Sequence, residues 1–236
     1  VLYLGSLALE TIMGVPMVYG VMGLALFAVA YSLYGGLSAV SWTDVIQVVF
    51  LIIGGMVTTY LALNTVSGGE GMWAGLSAIM DAAPDKFAMI LDKSNPEYDN
   101  LPGIGVLVGG MWVANLYYWG FNQYIIQRTL AAKSLKEAQN GILFAAILKI
   151  FLPLIVVIPG IAAYVMINDP AIMAGLGEAG QLNMPTSEQA DKAYPWLLQF
   201  LPTGFKGLAF AALAAAIVSS LASMLNSTAT IFTMDI

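Results

Sequence analysis

Lys149 stands near the middle of GILFAAILKIFLPLIVVIPG, an otherwise uncharged apolar run. A cation at such depth in a bilayer costs about 2.5 to 3.5 kcal/mol on insertion scales, so its side chain is expected to face a cavity or a polar partner. Four residues on, Pro153 has no N–H to give the Lys149 carbonyl. That carbonyl is left to an ion, a water or a side chain, and the helix is expected to kink. The competing reading is that Lys149 snorkels to the cytoplasmic interface near Gly141.

A second set is Ala216, Ser219, Ser220, Ser223 and Ser227. At about 100° per residue these fall within an arc of roughly 100° on one helix face. Sodium is a hard cation that takes oxygen ligands, and two adjacent hydroxyls plus a carbonyl one turn earlier supply about half of a coordination shell. Small residues also let helices approach closely, and spacing alone leaves both readings open.

In GVLVGGMWVANLYYWGFNQYIIQ, Gly109, Gly110 and Gly120 bracket Asn115, Tyr117, Tyr118, Trp119 and Asn122. The expectation is an interrupted helix with a polar, aromatic centre, since glycine weakens a helix while amides and ring faces suit a neutral polyol. An interfacial aromatic belt is the alternative. Asp44, in SWTDVIQ, follows Ser41 at capping-box spacing, so it reads either as a helix cap or as a group on an ion path.

These residues need a membrane around them. Of 236 residues, 59% are hydrophobic and 9% charged, and the mean hydropathy is +0.82, whereas soluble domains carry about 25% charged residues. The chain has no Cys and no His, which excludes disulfides, imidazole catalysis and the usual zinc or haem ligation. The redox compartment stays undetermined. A net charge of −6 offers no basic footprint for nucleic acid.

Five apolar runs of spanning length follow a 14-residue start (1–14): 16–34, 41–63, 103–127, 141–167 and 207–232. With no initiator Met, the chain reads as an excised part of a longer protein whose first span is truncated. The connection 128–140 carries Arg128, Lys133 and Lys136 against Glu137, and is expected to be cytoplasmic. The connections 64–102 and 168–206 are acid-rich, with Glu70, Asp81, Asp85, Asp92, Glu97 and Asp99 in the first, and are placed outside. Short helices over 71–82 and 194–201 are expected there as interfacial caps.

Three function classes were open at this point. A solute transporter accounts for a buried cation, an interrupted aromatic helix and a hydroxyl face together. An intramembrane hydrolase would pair Lys149 with Ser219 or Ser220, but no nucleophile elbow accompanies them. A channel needs a filter sequence, and none is readable. Transport is favoured, without a cargo.

The run GVMGLALFAVAYSLYGGLSAVSWTDVIQ, 20–47, resembles the signature of the sodium:solute symporter family, above all in YxxxGGLxA and TDxxQ. NLYYWGFNQYIIQRTLAAKS, 115–134, resembles the sugar branch of that family. The resemblance covers essentially the whole chain. It implies an all-α transmembrane bundle, part of a ten-helix core of two inverted five-helix repeats, with this chain holding core helices three to eight. It implies sodium-coupled symport of a monosaccharide, galactose or glucose, with sodium as coupling ion and no cofactor. Its partners are then sugar, sodium and lipid in a bacterial inner membrane, with a homodimer left open and other small solutes as the alternative cargo. By the same resemblance, Asn115 and Lys149 hydrogen-bond the sugar, and Tyr118, with Trp119 beside it, is the inner gate stacking on the ring. Ala216, Ser219 and Ser220 form half of a sodium site, and Asp44 lies on the ion's exit path.

Overall fold

The computed structural model describes residues 1–95, 98–99 and 103–235. Glu97, counted above among the acids of the first long connection, lies outside the described residues. Every regular element among the described residues is helical, as expected where backbone groups must be satisfied without water.

Helix α1 (Leu2–Met13) ends on Gly14 in the left-handed conformation, and its Gly5, Ser6, Leu7, Ala8 and Thr11 are buried. Helix α2 (Met17–Val66) is nominally continuous over 50 residues, but Gly36 has φ 56°, ψ −166°. Backbone at positive φ favours glycine because a Cβ would clash there. Tyr31 donates to the Ala39 carbonyl (3.4 Å) and also meets the Thr43 hydroxyl. In a straight helix residues 31 and 43 would be about 18 Å apart, so the chain reverses at Gly36 and α2 is two limbs folded back on each other. The expected connection 35–40 is thus reduced to one glycine.

Helix α9 (Thr203–Asp235) is seated against both limbs. Ser32 of the first limb donates to Asn226 (3.2 Å), while Leu24 and Ala28 pack on Val218 and Leu221. On the second limb Gly54 lies against Ala209 so closely that a Cβ there would be 3.2 Å from the alanine methyl. Helix α6 (Leu135–Asn168) packs on the far end of that limb, where Thr59 donates to the Leu154 carbonyl (3.0 Å) and Gly55 faces Ile155. Both Pro153 and Pro159 lie inside α6.

Short helices cover one end of the bundle: α3 (Met72–Ala82) after α2, then α7 (Pro170–Gln181) and α8 (Ala193–Leu198) after α6. Asp169 caps α7 by accepting from Ala171 N (2.8 Å), with Pro170 in the first turn, where its missing N–H costs nothing. Trp196 is the anchor of this layer. It is fully buried, donates to the Gly180 carbonyl (3.1 Å) and meets Phe200 edge-on at 4.9 Å, among Leu63, Ile79, Ala162 and Met166.

Three helices, α2, α6 and α9, are long and apolar enough to cross a membrane. In the most apolar window of α6 only 6% of residues are buried within the chain, so its apolar surface requires lipid or further helices against it. This is a multi-pass membrane protein.

Candidate functional site

The aromatic segment begins with a wide π turn, Val106–Gly110, continues as helix α4 (Met111–Leu116) and ends in a second π turn, Tyr117–Phe121. The chain leaves helical geometry at Asn122 (φ −80°, ψ 108°) and resumes as helix α5 (Gln123–Leu130), which the Asn122 side chain caps by accepting from Tyr124 N (3.2 Å). The helix is interrupted within the expected polar, aromatic segment, at Asn122, while glycines 109, 110 and 120 stay in helical turns. Asparagine is both a good N-cap and a residue that tolerates leaving the helix, which locates the break at this one position.

Just before the break, Tyr118 and Trp119 meet edge to face, centroids 5.2 Å apart. Lys149 of α6 brings its Nζ to 4.5 Å from the Trp119 ring centre and 5.7 Å from that of Tyr118. The lysine is exposed on the chain's own surface and is turned onto aromatic faces, where a cation is held by the ring quadrupole while its N–H groups stay free to donate. Asn115, one turn before Tyr118 on α4, donates Nδ2 to the Met111 carbonyl (2.8 Å) and is exposed. Lys149, Tyr118 and Trp119 therefore form one cluster, and Asn115 lies on the same short helical stretch with its amide turned back along the helix.

The second cluster joins α2, α5 and α9. Ser219 donates its hydroxyl to one carboxylate oxygen of Asp44, and Arg128 Nη2 reaches the other at 2.5 Å. The same Nη2 donates to the Ser223 hydroxyl (2.5 Å), and Gln127 Nε2 donates to the Ser223 carbonyl (3.1 Å). Gln127, Ser219 and Ser223 are buried, and the Arg128 and Asp44 side chains are 32% and 24% exposed. In so apolar a protein this pairing is how two opposite charges avoid standing alone at depth. Of the stripe expected to bind sodium, Ser219 is buried at this cluster, while Ala216 and Ser220 are half-buried on the same helix.

Two expectations are corrected here. Ser41 and Asp44 do not cap a helix, because the second limb of α2 has already begun at Gly36; Ser41 donates to the Leu37 carbonyl (2.8 Å) and Asp44 is an interior residue holding Arg128. Arg128 is not a residue of the cytoplasmic connection but the last-turn cation of α5. That connection is short between helices, since α6 starts at Leu135, capped by Ser134.

The sequence pattern hides Arg128 among the charges of the connection 128–140 and Gln127 at the end of the apolar run 103–127. The signal was present: Arg128 is the only arginine of the chain and Asp44 the only acid between Glu10 and Glu70, so each had one natural partner. The hydrolase reading needed Lys149 beside Ser219 or Ser220. Instead Lys149 lies over the aromatic pair and Ser219 donates its hydroxyl hydrogen bond to Asp44.

The model of the family described as "Sodium:solute symporter family" matches residues 2–236. The chain is 70% identical over 236 residues to a sodium/glucose cotransporter of Vibrio parahaemolyticus, covering 100% of this chain and 44% of that protein. It is 34% identical over 247 residues to the human sodium/myo-inositol cotransporter 2, covering 100% of this chain and 36% of the relative, and 34% identical to the Escherichia coli symporter YidK, of which it covers 39%. The chain thus spans less than half the length of the curated relatives it matches.

Proposed function

The chain belongs to the sodium:solute symporter family, and from that premise we propose that it carries out sodium-coupled symport of a monosaccharide, galactose or glucose, by alternating access across a bacterial inner membrane. A transporter of this family is not an enzyme. The observation that carries the cargo is the 70% identity, over the whole chain, to a sodium/glucose cotransporter.

The geometry supports the same reading. A neutral sugar needs an apolar ring face to stack on and a few hydrogen-bond donors at its rim. Tyr118 and Trp119 present the faces, and the Lys149 ammonium above them presents donors. Asn115 supplies a further amide once it turns from the Met111 carbonyl. On α9, Ala216, Ser219 and Ser220 furnish oxygen ligands for sodium, and Asp44 beside Ser219 gives the ion a negative charge to pass on its way out. Sodium binding favours the outward-open state, sugar binds near the midplane, and closure followed by inward opening releases both, with the sodium gradient as the drive. In this topology 64–102 and 168–206 are outside and the connection between α5 and α6, residues 131–134, faces the cytoplasm. A second cargo, a cyclic polyol, has one observation in its favour, the similarity to sodium/myo-inositol cotransporters.

The test is uptake of labelled galactose and of labelled glucose by the full-length protein in proteoliposomes, under an inward sodium gradient and with potassium in its place. Sodium-dependent uptake of either sugar is expected. Equal uptake in potassium removes sodium coupling, and sodium-dependent uptake of labelled inositol but of neither sugar transfers the reading to the polyol.

A further inference from the structure

The aromatic stretch 104–121 is exposed along its whole length, and Asn122 joins it to α5, which is packed on α9. Asn122 is thus a one-residue joint between the part of the segment that carries Tyr118 and Trp119 and the part held by the bundle. What holds α5 is unusual in this chain: three polar contacts to two other helices, made by two adjacent side chains. Gln127 takes the Ser223 carbonyl, and Arg128 takes both the Ser223 hydroxyl and Asp44. Asp44 in turn receives the hydroxyl of Ser219.

On the reading of Ser219 as a sodium ligand and Tyr118–Trp119–Lys149 as the sugar site, we infer that Arg128, assisted by Gln127, is the positioning residue that couples the two sites. The physical reason is that Asp44 has one negative charge and two claimants. A sodium ion at Ser219 lies one hydroxyl away from Asp44, repels the guanidinium and competes for the carboxylate, which loosens Arg128 and with it α5. Arg128 is suited to being released, since a single nitrogen, Nη2, makes both of its contacts while Nε is buried without a partner among the described residues. A bidentate fork would be harder to open. Movement of α5 about Asn122 then shifts Tyr118 and Trp119, four and three residues before the joint. By reciprocity the sugar alters sodium affinity by the same factor.

The measurement is the equilibrium dissociation constant of galactose for purified full-length protein in sodium and in potassium, with the ratio of the two as the coupling. Couplings of this kind are about 5- to 150-fold. In Arg128→Gln, which leaves α5 unlatched with or without the ion, the ratio falls toward one because the constant in potassium moves to that of the starting protein in sodium, and Arg128→Lys, which keeps the charge as a point donor, recovers part of the ratio. The double variant Asp44→Asn with Arg128→Gln shows no further loss. A ratio unchanged in folded Arg128→Gln overturns the inference, as does a parallel loss of both affinities, which is what a merely structural contact would produce. Should Arg128→Gln fail to fold, Gln127→Leu removes one contact without stranding a charge; a reduced ratio supports the inference and an unchanged one overturns it. A ratio of one in the unmutated protein is a different failure, that of sodium coupling itself.

Discussion

Replacing Lys149 by methionine keeps an unbranched side chain of similar length in α6 and removes only the ammonium. Two interactions go with it. Toward the protein, Nζ lies 4.5 Å from the Trp119 ring centre and 5.7 Å from that of Tyr118, an exposed cation–π pair of about 0.5 to 1 kcal/mol. Toward the sugar, a charged donor to a hydroxyl contributes about 1.5 to 3 kcal/mol. Only the second acts on bound sugar directly, so Lys149→Met is expected to raise the galactose KM by about 10- to 150-fold, a decade for each 1.4 kcal/mol. Trp119→Leu leaves the donor but loses the nearer ring, and with it the cation–π contact, about two- to fivefold, together with one of the sugar's stacking faces. The assay is initial-rate uptake of labelled galactose into proteoliposomes at saturating sodium, with thermal stability in detergent followed in parallel. Methionine is apolar, so stability is expected to hold or rise. A KM for Lys149→Met within twofold of the starting protein refutes the assignment of the ammonium to the sugar.

Other consequences are as direct. Ser220→Ala should raise the sodium concentration for half-maximal uptake with little change in sugar KM at saturating sodium, read from sodium titrations of uptake. Tyr118→Phe keeps the ring face and should lose less uptake than Tyr118→Ala, which loses both the face and one wall of the Lys149 contact. At Gly75 a Cβ would run into the Leu63 carbonyl, so Gly75→Ala must push α3 off the end of α2; the expected cost is about 1 to 3 kcal/mol, seen as a lower melting temperature. Trp196→Ala empties the most buried large side chain of the covering layer and should cost about 3 to 5 kcal/mol, measured the same way.

What the sequence by itself determined is the class of solvent and the chemistry at each position. Hydropathy is a sum over local residues, so long apolar runs and the intramembrane oddity of Lys149 were legible without any contact being known. The family motifs, too, are local strings. Two of the three short covering helices, α3 and α8, were readable because Gly71 and Pro84 bound one of them and an apolar, aromatic stretch marked the other; α7 was not.

Only the tertiary structure decided which of these residues meet. Nothing local distinguishes Gly36 from the adjacent Gly35, yet a single positive φ at Gly36 reverses the chain and makes Asp44 an interior residue instead of a cap. The interruption of the polar, aromatic segment was legible, but not the residue at which it falls: three glycines nearby are weaker helix formers, and the asparagine alone both leaves the helix and caps the next one. Arg128 read as a loop charge because charge bias is counted along the chain, whereas its partner lies 84 residues away on another helix. Pairing is a property of three-dimensional distance, and a lone arginine and a lone acid in an apolar sequence find each other only when helices pack, because an apolar surrounding makes either charge costly without the other.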